Sequence, residues 1–172
     1  MKKNVANILR VAEALPEYRC VVVGEGPRRE RLEREAPANV EIRDFLPRSE
    51  LPVYYSSIDA FVTASTGDTL GLSTLEANAC GTPVAAADVP PFDRTIGPGN
   101  GERFAYGDID GMADAIEACL SADRDTRAAV EQYDVSRTLV YLEYLYRNAS
   151  TVAAGHPTAV GDAPWVSEDP LD

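Results

Sequence analysis

Helix-like and strand-like segments alternate along most of this chain, and that alternation limits the fold more than any other feature of the sequence. Apolar residues recur at helical spacing through residues 5–15, and a β-branched run follows at 19–23. The pattern repeats with predicted helices at 30–34, 49–56 (capped by Ser49), 72–79 and 110–120, and predicted strands at 40–43, 60–63, 84–87 and, weakly, 104–105. Such alternation predicts an α/β fold with a doubly wound parallel sheet.

The composition changes near residue 150. Residues 1–150 carry the alternating pattern, ending in predicted helices at 124–132 and 136–148. Residues 151–172 are instead rich in Ala, Gly, Pro and acids, with few large apolar side chains. Such a segment buries too little apolar surface to offset the entropy of ordering it. We therefore predict a single domain in residues 1–150 and a disordered acidic tail in residues 151–172.

The charge of the chain disfavours one class of partner. The formal net charge is −12, and the cations are fourteen arginines with only two lysines, Lys2 and Lys3. Because no basic patch is available to neutralise phosphates, we expect no nucleic-acid partner. An acidic, lysine-poor surface is typical of proteins from salt-loving organisms, whose internal salt screens repulsion between carboxylates. The alternative is an ordinary acidic cytoplasmic enzyme.

The sequence predicts a cytoplasmic location without a membrane span. No apolar stretch approaches the roughly 18 to 20 residues needed to cross a bilayer, and the N-terminus lacks the features of a signal peptide. Peripheral membrane association stays open. Cys20, Cys80 and Cys119 are odd in number and lie in apolar segments, so free buried thiols are expected rather than disulfides or a metal site.

The strongest candidate site is the run at 68–83, D-T-L-G-L-S-T-L-E-A-N-A-C-G-T-P. In open α/β sheets, ligands bind at the carboxyl ends of strands, where helix N-termini present unpaired N–H groups. Gly71 allows close backbone approach at such a helix start, which predicts an anion site suited to a diphosphate. The Glu76 carboxylate could accept hydrogen bonds from both hydroxyls of a ribose, and the Asp68 carboxylate could accept them from sugar hydroxyls. For an isolated acid pair, helix-end charge and turn capping would be the simpler explanation.

The same run resembles the donor-site signature of the retaining glycosyltransferases called family 4. It has an acid, seven residues and then Glu-Ala, with Leu-Gly-Leu between them and Ala-Cys-Gly-Thr-Pro-Val after. The resemblance continues in register over roughly residues 3–148, through K-N, V-V-V-G-E-G-P, D-F-L-P-R-S-E-L-P-V-Y-Y, P-F-D-R-T-I, N-G-E-R-F and Y-G-D. It implies that residues 1–150 form a nucleotide-sugar-binding, Rossmann-like domain, the donor-binding C-terminal half of a GT-B fold.

The resemblance also implies roles for individual residues. Glu76 would bind the ribose, and Asp68, which stands where the family usually has Glu, would contact the donor sugar with a shorter reach. The distal phosphate would be held by the residues Lys3, Thr69, Leu70, Gly71 and Leu72. The base-side loop would be Asp44, Phe45 and Leu46, with Asp44 in place of the usual Gly and thus able to narrow the pocket. From the residues alone, Arg28, Arg29 and Arg48 are expected to be solvated surface arginines, although one near the opening could assist an anion.

The implied reaction transfers a sugar from a UDP- or GDP-sugar to a hydroxyl acceptor with retention of configuration, without a metal or other cofactor. No catalytic residue is assigned, because the family's cleft base comes from the acceptor domain, which this sequence lacks. The family's first strand and Gly-Arg turn are also missing before Lys3. The strand edges left by that gap would pair directly or be covered by another chain.

Several alternatives follow from those departures. The sequence could be a gene fragment, a mis-set start or one subunit of a split enzyme, and the expected partner is an acceptor-domain subunit or a second copy of the chain. A rival function is a non-catalytic nucleotide-sugar-binding subunit. An epimerase or hydrolase of the same fold is disfavoured, because the acid-Leu-Gly-Leu-Glu pattern matches transferases better.

Overall fold

The computed structural model describes residues 3–147, which fall into two compact units, one ending at Glu131 and one beginning at Gln132. Helices of the first unit are α1 (Val5–Ala14), α2 (Arg29–Glu35), α3 (Leu51–Ser56), α4 (Leu72–Ala79), α5 (Phe92–Thr95), α6 (Ile109–Ser121) and α7 (Thr126–Val130). Its strands are β1 (Cys20–Val23), β2 (Val40–Arg43), β3 (Phe61–Thr63), β4 (Val84–Ala87) and β5 (Gly101–Phe104). A 3₁₀ turn at Glu131–Tyr133 follows, and the second unit contains α8 (Val135–Arg147).

The strands are parallel, which confirms the predicted α/β class. They form two sheets, β1-β2 and β3-β4-β5. Cys20 lies opposite Val40 in the first sheet, whereas Val84 lies between Phe61 and Gly101 in the second. Helices link every pair of successive strands, as parallel pairing requires.

Strand β4 is the centre of the main core. All four of its residues are fully buried, and they alternate between two hydrophobic clusters. Ala85 and Ala87 face the cluster that includes residues of α1 and α6, whereas Val84 and Ala86 face the cluster that includes residues of α3, α4 and α5. Because strand side chains alternate between faces, helices must cover both sides of this sheet. This is the predicted doubly wound arrangement.

The two sheets separate between the strands that correspond to the second and fourth strands of the common doubly wound order. The common doubly wound order is 3-2-1-4-5-6, so the pair β2-β1 and the triplet β3-β4-β5 correspond to 3-2 and 4-5-6. Strands β1 and β3 are not hydrogen-bonded to each other, and all of their residues are only half-buried. The edges therefore do not pair directly, which removes one of the two alternatives drawn from the sequence.

Three details differ from the sequence-based expectations. Ser49 does not cap α3, because Glu50 occupies the N-cap position without a side-chain hydrogen bond. Strand β5 begins at Gly101, where an added Cβ would lie 2.0 Å from the Val84 carbonyl oxygen, so this close strand pairing requires glycine. Helix α5 had no counterpart in the predictions. The predicted tail at 151–172 lies outside the described residues.

Candidate functional site

The N-cap of helix α4 is a glycine, and backbone N–H groups in the first turn of this helix are unpaired. Gly71 is the N-cap residue with φ of 72°, a left-handed conformation that favours glycine. Its carbonyl accepts hydrogen bonds from the Thr74 N–H at 2.9 Å and the Thr74 hydroxyl at 2.7 Å. The N–H groups of Leu72 and Ser73 donate to no acceptor within residues 3–147. The helix start thus presents two free donors at the positive end of its dipole.

A cleft of about 300 Å³ lies in front of this helix start. This volume is at the lower end of the range for small-molecule sites. The residues that line the cleft are Lys3, Gly67, Asp68, Thr69, Leu70, Gly71, Leu72 and Ser73. The structure therefore brings together the residues that the sequence predicted for the phosphates and the donor sugar.

Lys3 and Asp68 form an ion pair in this cleft. The Nζ of Lys3 lies 2.6 Å from Oδ1 of Asp68, and the exposed fractions of the two side chains are 54% and 13%. Burial would raise the pKa of Asp68, but the Lys3 ammonium and the nearby Ser65 hydroxyl outweigh it and hold that pKa below its usual range. The Ser65 hydroxyl is fully buried and makes no hydrogen bond of ordinary geometry within residues 3–147. The pairing leaves the cleft with one cation already engaged.

The position of Lys3 depends on the residue that follows it. Asn4 is the N-cap of α1 with φ of 50°, and its Nδ2 donates to the Ala64 carbonyl at 2.8 Å. Ala64 comes directly after β3 and is fully buried. The start of α1 is thereby fastened to the carboxyl end of β3, and the Lys3 side chain reaches the loop that leads to α4.

Glu76 lies one turn further along α4 than Leu72. It is half-buried and does not line the cleft. The hydroxyl of Tyr55 donates to its Oε2 at 3.5 Å. Residues four apart lie above one another on a helix, so Glu76 continues the surface that Leu72 begins.

The base-side loop follows β2, and its residues do not line the cleft. Asp44 pairs with Arg29 at 2.7 Å, Phe45 is 67% exposed and Leu46 is half-buried. Arg29 also donates to Glu33 at 2.8 Å. The hydrogen bond that Arg29 donates to Glu33, together with the charge of Asp44, raises the pKa of Arg29. Arg29 is 29% exposed and lies at the surface, where its ion pairs connect helix α2 to the loop after β2.

A buried polar network fixes the other end of α4. Asn78 Nδ2 donates to the carbonyls of Thr82 and Asn100, and Asn100 Nδ2 donates back to Asn78 Oδ1 at 3.0 Å. The hydroxyl of Thr126 donates to the Asn78 carbonyl at 2.9 Å. These side chains are at most 3% exposed. Because buried polar groups are costly without partners, the network specifies one position for the helix that carries the site.

Two negative findings apply to residues 3–147. No group of three or more His, Cys, Asp or Glu side chains is arranged to hold a metal ion. None of the helices in this part of the chain has the length and hydrophobicity needed to span a bilayer.

Comparison with known proteins identifies the family. Residues 1–135 match the model of the family described as glycosyl transferases group 1. This chain belongs to the group 1 glycosyltransferases. It is 36% identical over 134 residues to an alpha-monoglucosyldiacylglycerol synthase of Streptococcus pneumoniae, and this match covers 72% of the chain and 30% of that protein. It is 33% identical over 137 residues to the sulfoquinovosyl transferase SQD2 of Arabidopsis thaliana, covering 76% and 26% respectively.

Solved structures show that this group 1 glycosyltransferase chain has a GT-B-type half. A sucrose-phosphate synthase from Thermosynechococcus elongatus superposes with a TM-score of 0.76 at 22% identity, over 88% of this chain and 43% of that one. The Anabaena protein HepE, solved in complex with UDP-glucose, superposes with a TM-score of 0.67 at 19% identity, over 88% and 45%. The chain spans less than a third of the length of the two curated relatives above.

Proposed function

We propose that this chain is the donor-binding part of a glycosyltransferase that moves a sugar from a nucleoside diphosphate sugar to a hydroxyl acceptor with retention of configuration. The observation that carries the proposal is the cleft at the start of α4, where free amides, Lys3 and Asp68 converge. The UDP-glucose in the HepE structure supports a nucleoside diphosphate donor of the same class.

The chemistry of the leaving group matches this cleft. As the bond between sugar and phosphate breaks, negative charge grows on the diphosphate. The N–H groups of Leu72 and Ser73, at the positive end of the helix dipole, would stabilise that charge. Lys3 would add a full positive charge after moving from Asp68 to a phosphate oxygen. Once Lys3 has left it, the Asp68 carboxylate would accept a hydrogen bond from a hydroxyl of the donor sugar.

The remaining parts of the donor have candidate contacts on either side of the cleft. Glu76 would accept the ribose hydroxyls, and the loop Asp44–Leu46 would face the base. Experiment must decide whether the base of the donor is uracil or guanine. The acceptor-binding site and any general base would come from polypeptide outside this sequence, as a further domain, a separate subunit or a second copy. Binding does not require a metal in this proposal.

Calorimetric titration of UDP and GDP into the chain, in buffer of high salt, tests donor binding. We expect heat of binding with at least one nucleotide, and a loss of affinity of at least about tenfold in Glu76→Gln, which weakens charge-assisted hydrogen bonds to the ribose. Glu13→Gln, an exposed change on α1, is the matched control and should bind as the wild type does. Absence of heat with both nucleotides would contradict the proposal.

A second experiment separates catalysis from binding alone. The chain is mixed with a candidate acceptor-domain partner, a labelled UDP- or GDP-sugar and acceptor, and sugar transfer is scored together with the anomeric configuration of the product. Transfer with retention supports the enzyme. Nucleotide binding without transfer by any combination favours the rival function of a non-catalytic nucleotide-sugar-binding subunit.

A further inference from the structure

Tyr55 is a buried tyrosine of α3 whose hydroxyl the fold directs at a carboxylate of α4. The residue is 6% exposed, and its hydroxyl lies 3.5 Å from Oε2 of Glu76. We propose that Tyr55 is a positioning residue that orients the Glu76 carboxylate to receive a ribose diol. The proposal rests on the proposed function, in which Glu76 binds the ribose.

The tyrosine ring is held at several points, so the position of its hydroxyl is well defined. The ring packs edge-to-face on Phe61 of β3, with centroids 5.7 Å apart and an interplanar angle of 76°. It also lies in edge contact with Tyr54 at 6.3 Å. Its backbone carbonyl accepts the Thr82 hydroxyl at 2.5 Å. Thr82 follows the C-terminal end of α4, so Tyr55 contacts that helix region at two separate places.

The hydrogen bond from Tyr55 limits the orientations open to the Glu76 carboxylate. Within residues 3–147, the Tyr55 hydroxyl is the group that donates a hydrogen bond to its carboxylate. A glutamate has three rotatable bonds, and binding a diol at both oxygens requires one defined orientation. A donor on Oε2 leaves Oε1 and the second lone pair of Oε2 free for two hydroxyls.

The protonation state of Tyr55 suits this role. Burial, followed by the charge of the Glu76 carboxylate, raises the pKa of Tyr55 to about 12. The phenol therefore stays protonated at neutral pH and acts as the donor. The 3.5 Å separation is at the long end for such a bond, and hydrogen bonds in empty sites often shorten when ligand binds.

Tyr55→Phe removes the hydroxyl and keeps the ring, so its packing on Phe61 is retained. Calorimetry compares two ligands, UDP and 2′,3′-dideoxy-UDP, or the guanosine pair if the wild type prefers GDP. We expect Tyr55→Phe to weaken binding of the ribonucleotide about fivefold, which corresponds to the loss of one ordinary hydrogen bond. Binding of the dideoxynucleotide should be unchanged. Tyr54→Phe, the same change at the neighbouring position of α3, is the control and should alter neither affinity.

The outcomes separate this inference from the proposed function. If neither UDP nor GDP binds the wild type, the proposed function itself fails. If the wild type binds but does not discriminate between ribonucleotide and dideoxynucleotide, Glu76 does not bind the ribose, and the positioning role of Tyr55 fails while donor binding stands. If the wild type discriminates and Tyr55→Phe discriminates equally well, only the positioning role is overturned. An equal loss of affinity for both ligands in Tyr55→Phe indicates a general structural effect and also overturns it.

Discussion

The Nζ of Lys3 lies 2.6 Å from Oδ1 of Asp68, although 65 positions of sequence separate the two residues. Both had been predicted at the donor site, one for phosphate and one for sugar. Their direct pairing means that a diphosphate must compete with Asp68 for the Lys3 ammonium. The Asp68 carboxylate thereby partly neutralises the positive charge that Lys3 offers to a diphosphate.

Competition of this kind predicts that Asp68→Asn binds UDP more tightly than the wild type does. Loss of the carboxylate frees Lys3 and removes a negative charge near the phosphates, which for a partly exposed pair amounts to roughly fivefold in affinity. Lys3→Gln should weaken binding by a similar factor. Titration calorimetry measures both, with Asp123→Asn at an exposed loop position as the control for net charge. Weaker UDP binding by Asp68→Asn would show that the carboxylate does not compete.

The close packing around Gly71 predicts that adding a side chain at this position lowers the stability of the fold. An added Cβ would lie 2.6 Å from Cε1 of Phe92, and φ of 72° is unfavourable for alanine. Gly71→Ala should lower the free energy of unfolding by about 2–4 kcal/mol, because strain and overpacking add. Urea denaturation at high salt gives the value. Gly26→Ala, where a Cβ meets no atom within 4 Å, should change stability by less than about 1 kcal/mol, and an equal effect at both positions would refute this explanation.

The separation of the two sheets predicts a pattern of amide exchange. The N–H groups of Cys20 and Gly24 donate to the residues of the β2 segment, so those of Val21 and Val23 point to the opposite edge. The N–H of Phe61 donates to Pro83 beside β4, which places the Val62 N–H on the outer edge of β3. NMR-detected exchange should be faster at Val21, Val23 and Val62 than at Val22 and Thr63. Equal protection would show that these edges are covered in solution.

The environment of Tyr55 predicts how stability changes at high pH. Its folded-state pKa of about 12 exceeds the roughly 10 of an unfolded tyrosine, so the unfolded chain loses this proton first. The stabilisation is therefore complete below pH 10 and declines as the pH rises toward 12. The stability advantage of the wild type over Tyr55→Phe should shrink across that interval in urea denaturation. A constant difference would contradict a raised pKa.

The sequence predicted the fold better than it predicted the contacts of the site. Alternating periodicity located α1, α4 and β4 correctly because each has a clear apolar pattern. Helix α5 is one turn long, which is too short to show a helical period. Strand β5 begins at Gly101, whose identity suggests a turn, although the strand requires it for close approach to Val84.

The contacts missed from the sequence are those between distant segments. Tyr55 and Glu76 are 21 residues apart, and the sequence pattern around each gives no sign that they meet. Arg29 and Asp44 are brought together only when the loops after β1 and β2 meet at the same edge of the sheet. The residues that the 68–83 run predicted for the phosphates and the donor sugar do lie together, because they belong to one loop and the first turn of the helix that follows it.

The central claim is that a nucleoside diphosphate binds at the N-terminus of α4, and NMR titration of the ¹⁵N-labelled chain tests it most directly. On addition of UDP or GDP, the amide signals of Leu72 and Ser73 should shift in a saturable manner, since these free N–H groups would contact phosphate. The exposed amide of Glu13 on α1 should not move. Saturable binding that leaves Leu72 and Ser73 unshifted, or no shift with either nucleotide, would contradict the account.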